Sequence, residues 1–150
     1  EADAIYLDGV QDPGNAGTLL RTAAAAGVRH VAASTGTTFL WSPKVLRAAM
    51  GAHFVLSLYE DVPADQLAGA FAAERLAADA CGAESLFSAG WGTTPTLWLF
   101  GAEGAGLAET TASQAQRRLR IPIDPKVESL NVAAAAAVCL FEQRRRRGKE

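Results

Sequence analysis

Two short apolar runs that stop abruptly in polar turns constrain this chain more than any other feature: LWLFGAEGAGL at 97–107 and RIPIDPKVESLN at 120–131. Each reads as a strand, and each ends among Gly, Pro or Ser beside polar groups that a core would reject. These are Glu103 in the first, and Ser129 and Asn131 in the second. Two strands ending in such loops within one small domain suggest a ligand site built from backbone at the carboxyl ends of a parallel sheet.

The rest of the chain supplies the sheet and its cover. Ala4–Val10 reads as a buried strand, and Asn15–Ala26 as a helix that Asp12 and Pro13 start and Gly27 stops, with Leu19, Leu20 and Ala23 toward the core. Further strands are predicted at Arg29–Ser34, Phe54–Tyr59, Arg75–Ala80, Thr96–Phe100 and Leu119–Ile123. Helices are predicted from Ser42-Pro43 through Met50, at Pro63–Ala73, at Leu107–Gln114 and at Leu130–Arg145. This alternation specifies an α/β fold, a mostly parallel sheet with helices on both faces. The stretch CGAESLFSAGWGTTP at 81–95 is the least patterned.

At 150 residues the chain fits one domain with a sizeable core. No apolar run approaches the ~20 residues of a membrane span. It opens with Glu1, and nothing in it resembles a signal peptide, so a piece of a longer protein is the expectation. Cys81 and Cys139 have neither zinc-site spacing nor the density of a disulfide scaffold. They read as small buried hydrophobes in a reduced cytoplasm. The net charge of −2 gives no global attraction to nucleic acid, but nine of the fourteen basic residues fall at Arg117 or later, including Arg144 to Arg147. That run is either a solvated helix end complementing the macrodipole or a polyanion contact.

Three loops carry the chemistry. In DGVQDPGNAGTLLRTAAAAG at 8–27, glycines surround Asn15 at a strand-to-helix turn, with Arg21 on the second helical turn. Asn15 reads equally as a helix cap or as a donor facing a phosphate or ribose. GAEGAGL at 101–107 lacks the Lys-Ser/Thr of a nucleotide-triphosphate loop and the glycine order of a dinucleotide fingerprint. Its bland reading is a tight turn, with Glu103 capping the next helix. In IPIDPKVESLNVAAAAAV at 121–138, Ser129 can cap the terminal helix, whereas Asn131 just inside it is harder to explain that way.

Taken in this order, the three blocks resemble the motifs of the SpoU/TrmH family of RNA ribose methyltransferases. The first is Asn15-x-Gly17 followed by Arg21, the second Gly-x-Glu-Gly-x-Gly at 101–106, and the third Ile-Pro-Ile at 121–123 with Ser-Leu-Asn at 129–131. SPKVLRAAMGAHF at 42–54 is similar to the family's intervening segment. The resemblance implies a C-terminal deep trefoil knot, which pattern reasoning alone would not propose. It implies S-adenosylmethionine as methyl donor, no metal, RNA as substrate (ribosomal ahead of transfer RNA), and a homodimer through the knot and the C-terminal helix. It assigns the donor to Leu99, Phe100, Gly101, Glu103, Gly104, Ile121, Ile123, Ser129, Leu130 and Asn131. Catalysis goes to Arg21, Asn15, Glu103, Ser129 and Asn131, with Asn15 and Arg21 facing the RNA.

Two positions depart from the family pattern. Ile123 stands where Met is usual, a nearly volume-conserving change. Asp124-Pro125 stands where a small residue is common, stiffening the loop and adding a negative charge. Many relatives also carry an N-terminal RNA-binding domain, so the chain reads as the catalytic part alone. A guanidinium is effectively always protonated, so Arg21 is expected to bind a phosphate and stabilise developing alkoxide charge rather than act as a base. An RNA-binding scaffold without activity and a doubly wound oxidoreductase are the competing classes.

Overall fold

The structure, a computed structural model, describes residues 2–88 and 90–149. Strand β1 (Ala4–Asp8) is buried from Ala4 to Leu7, as a strand covered on both faces must be. Helix α1 (Pro13–Ala26) follows: the Asp12 side chain accepts the Asn15 backbone N–H at 2.8 Å, Pro13 opens the first turn, and Gly27 closes the helix at φ 90°. Next come β2 (His30–Ala33), α2 (Pro43–Ala49), β3 (Ser57–Tyr59) and α3 (Leu67–Ala70). The chain continues through β4 (Glu74–Ala78), β5 (Glu84–Ser85), β6 (Thr96–Gly101), α4 (Glu109–Ala112), β7 (Arg117–Arg120) and α5 (Val132–Arg146).

The sheet order is β3-β2-β1-β6-β4-β7-β5, and every neighbouring pair runs parallel. Alternation along the central strands divides the core. Ile5, Leu7, Trp98 and Phe100 face one way, toward Leu19, Leu20 and Ala23 of α1 and Ala136, Cys139 and Leu140 of α5. Tyr6, Leu97 and Leu99 face the other way, where Leu67 of α3 covers them. Gly17 lets α1 cross α2 closely, since a Cβ there would lie 2.4 Å from Ala48 Cβ and 2.8 Å from the Val45 oxygen. Gly17 therefore serves the packing of α1 on α2.

Several boundaries differ from expectation. The strand predicted from Phe54 begins at Ser57; Ala52–Phe54 is a 3-10 turn, and Phe54 is 95% exposed. The helix predicted at 63–73 shrinks to a 3-10 turn at Ala64–Gln66 and the single turn of α3, because Leu67 is its one buried side chain and Gly69 weakens it. The helix predicted at 107–114 is only α4. Strand β7 runs from Arg117 to Arg120 rather than 119–123. Its polar start is stabilised by Arg117, which pairs with Glu74 at 3.2 Å and Glu84 at 3.1 Å, while Pro122 has no N–H to continue a ladder. The unpatterned stretch contributes β5, a short edge strand on β7.

Two members of the arginine run are turned inward, while Arg145 stays a solvated helix-end residue, 72% exposed. Arg147 donates to the Gly92 and Thr94 carbonyls at 2.7 and 2.6 Å and pairs with Asp3. Arg146 donates to the Leu86 carbonyl at 2.7 Å and lies 4.4 Å over the Trp91 ring. Arg145 forks onto Glu142 at 2.8 Å. The end of α5 thus holds Leu86, Gly92 and Thr94 by their carbonyls. The Arg145 hydrogen bonds foremost, with Arg146 assisting against burial, lower the Glu142 carboxyl to about 2.

Candidate active site at the carboxyl ends of the sheet

Strands β1 and β6 lie side by side with Asp8 opposite Gly101, and their continuations diverge: β2 pairs on the far side of β1 and β4 on the far side of β6. A crevice opens outside the carboxyl ends of strands that part in this way. Past Gly101 the chain folds back at once. Gly106 N–H donates to the Ala102 carbonyl at 2.8 Å, and Ala102 N–H donates to the Gly106 carbonyl at 3.2 Å. Only glycine fits at 101, because a Cβ would stand 2.2 Å from the Gly106 carbonyl carbon and 2.3 Å from the Leu107 nitrogen. Asp8 accepts the Ala108 N–H at 2.9 Å, which ties this turn to the end of β1 and holds Glu103 out at its tip.

The three sequence blocks meet at one side chain. Asn131 caps α5: its backbone is non-helical (φ −51°, ψ 139°), and its Oδ1 accepts the Ala133 and Ala134 N–H groups at 2.9 and 3.1 Å. Its Nδ2 donates to Asn15 Oδ1 at 3.0 Å and to Glu103 Oε1 at 2.6 Å. The capping roles expected from sequence are therefore reassigned. Asn131, not Ser129, caps α5; Asp12, not Asn15, caps α1; and Glu103 accepts from Asn131 instead of capping α4.

Beside this junction lies a cavity of about 420 Å³. Phe100, Gly101, Glu103 and Gly104 of the second block line it, as do Ile121, Ile123, Ser129 and Leu130 of the third. Its carboxylates are Asp79, Glu103, Glu109 and Glu128, with Arg118 as the cation, and Arg118 pairs with Glu109 at 3.2 Å. The walls mix apolar side chains, backbone groups and an excess of acids, which suits an apolar-faced ligand carrying positive charge. Asp79, Glu109, Arg118 and Glu128 were not singled out from sequence. Asp79 follows β4 directly but falls inside the strand predicted at 75–80, which hides it.

Other expected residues lie elsewhere. Leu99 is wholly buried on the opposite face of β6, away from the cavity. Arg21 is exposed on α1 and outside the cavity lining, with no hydrogen bond or ion pair to the described residues. Asp124 accepts the Lys126 N–H at 2.9 Å in a turn of its own and is not part of the cavity wall, so its charge is spent away from the lining. Cys139 is buried and its thiol pKa is raised by desolvation, whereas Cys81 is exposed at the cavity edge, contrary to expectation. At the other end of the sheet, a groove between Glu74 and Arg117 has its charges already paired with each other. Among the described residues no group of three or more His, Cys, Asp or Glu could hold a metal, and no helix is long and apolar enough to cross a membrane.

Residues 3–141 match the profile of the SpoU rRNA methylase family. The chain is 37% identical over 144 residues to an uncharacterized tRNA/rRNA methyltransferase of Synechocystis, covering 94% of this chain and 52% of that protein. It is 36% identical over 152 residues to the 23S rRNA (guanosine-2′-O-)-methyltransferase RlmB of Pseudomonas syringae, covering 95% and 58%. The fold superposes with a TM-score of 0.89 on the SpoU methyltransferase AviRb of Streptomyces viridochromogenes in complex with AdoMet, at 27% identity over 100% of this chain and 63% of that one. The chain spans about half the length of the first of these relatives. With its second and third motifs lining one cavity, Asn15 of the first joined to them through Asn131, and the family profile covering nearly its whole length, the chain belongs to the SpoU methylase family.

Proposed function

We propose that this chain is the catalytic domain of an S-adenosylmethionine-dependent methyltransferase that methylates the 2′-hydroxyl of a ribose in RNA, ribosomal RNA first and transfer RNA as the alternative. The observation that carries this reading is the junction of Asn15, Glu103 and Asn131 at the rim of a cavity at the carboxyl ends of the sheet. The donor fits the cavity chemically. Backbone around Gly101 and the side chains of Ile121, Ile123 and Leu130 suit an adenosine, and the excess of carboxylates suits a cation. When bound, the donor supplies an activated methyl group to a ribose oxygen in line with its sulfonium sulfur. The protein's own part is mainly alignment. Glu103, Ser129 and Asn131 shape the site, Asn15 and Arg21 meet the RNA, and Arg21 binds a phosphate and steadies developing charge on the attacking oxygen.

Charge distribution supports the RNA face. Between Pro13 and Tyr59 the chain holds no aspartate or glutamate, while Arg21, Lys44 and Arg47 are exposed there. This face, not the arginine run of α5, is the proposed polyanion contact. The proposal includes the deep C-terminal knot, a single domain over 1–150, a cytoplasmic site of action, and a homodimer through the knot and α5. Phe141 of α5, exposed at 45%, leaves apolar surface for a second copy. A scaffold without activity is the competing reading. Transfer of a labelled methyl group to bulk ribosomal or transfer RNA separates the two: label in ribosomal RNA is expected, and label in neither RNA contradicts the proposal.

A further inference from the structure

The Asn131 amide has only one orientation open to it, and that orientation fixes a second amide. Its Oδ1 accepts two backbone N–H groups of α5. Turning the amide over would set its NH2 against those two donors, so Nδ2 has to face outward. There its two protons go to Asn15 Oδ1 and Glu103 Oε1. The same exclusion then acts on Asn15, because turning its amide would oppose two NH2 groups. The end of Asn15 left over is Nδ2, which makes no hydrogen bond to the described residues.

We propose that Asn131 is a positioning residue that holds Asn15 as a hydrogen-bond donor toward an oxygen of the RNA backbone, with its NH2 and not its carbonyl turned to the substrate. The RNA part of this rests on the function proposed above, whereas the amide polarity rests on the chain's own hydrogen bonds. Three motifs of the sequence thereby become one relay of orientation. The N-terminus of α5 orients Asn131, Asn131 orients Asn15, and Asn15 presents two N–H groups to the substrate. Glu103 has one carboxylate oxygen engaged in the same junction, so it too is held in place by Asn131.

Two measurements test this. In the free protein, side-chain amide NMR is expected to show the Asn131 NH2 protons protected from solvent exchange and those of Asn15 exchanging freely. Protected Asn15 protons with free Asn131 protons would overturn the polarity. Asn15→Asp keeps an acceptor for Asn131 but presents no donor, and a carboxylate is favourable in the first turn of a helix, so the variant should fold. Its methyl transfer to ribosomal RNA should fall about 10²-fold, as on losing one preorganised donor, with S-adenosylmethionine affinity by calorimetry near wild type. Wild-type turnover by Asn15→Asp would overturn the donor role. Asn131→Ser keeps a good cap but frees the Asn15 amide. RNA binding should weaken only about twofold if two orientations become equally populated, and the Asn15 amide resonances should shift. If wild-type protein methylates no RNA, the function fails while the amide measurement still decides the polarity.

Discussion

Gly101 shows how one residue decides whether the site exists. The turn that carries Glu103 closes over a position with no room for a Cβ. Gly101→Ala should therefore displace residues 102–107, lower S-adenosylmethionine affinity by calorimetry at least tenfold, and cost about 1–3 kcal/mol of stability in urea unfolding. Wild-type affinity would place the donor elsewhere. Glu142 yields a second prediction, on pH. Its carboxyl is lowered to about 2 in the folded chain, so the stability it contributes is present above the ordinary glutamate range and is lost as pH falls toward 2. Replacing it with Gln should flatten the fall in unfolding midpoint between about pH 4.5 and 2 relative to wild type. Unchanged steepness would mean that Arg145 and Arg146 do not favour the ionised form. At this scale the sequence showed which residues are unusual but not what each does. Asn131 looks out of place when the helix is started at Leu130, two residues before Val132, and a cap that also bridges two distant loops leaves no local trace.

Elements with strong periodicity were legible, and those stabilised by long-range contacts were not. Helix α1 was readable from Asp12-Pro13, its buried Leu19 and Leu20, and Gly27. Strand β7 was not, because Arg117 and Arg118 look like surface residues until Glu74, Glu84 and Glu109 are brought beside them. Helix α5 is legible, but the inward turn of Arg146 and Arg147 is not, because their partners include backbone carbonyls more than 50 residues away in sequence, such as Thr94 for Arg147. Arg147→Ala should thus speed proteolysis between Leu86 and Thr94 and cost about 1.5–3 kcal/mol, the range for hydrogen bonds to a charged group. The salt slope of RNA binding should stay unchanged, since the side chain is only 16% exposed. A shallower slope with normal proteolysis would instead make that run an RNA contact.

The whole molecule brings together what the chain keeps apart. Asn15 and Asn131 are 116 residues apart in sequence and joined by a hydrogen bond because β1 and β6 are neighbours in the sheet and α5 packs on α1. The alternation of strands and helices made an α/β sheet legible, but the order β3-β2-β1-β6-β4-β7-β5 was not, since nothing local tells β6 to pair between β1 and β4. The central claim is that this arrangement delivers a methyl group to a ribose oxygen and not to a base. Alkali cleaves RNA through the free 2′-hydroxyl, so a methylated ribose protects the bond that follows it. After transfer from labelled S-adenosylmethionine to ribosomal RNA and complete alkaline hydrolysis, the label should remain in alkali-resistant dinucleotides. Label recovered in mononucleotides, as a methylated base, would contradict the account.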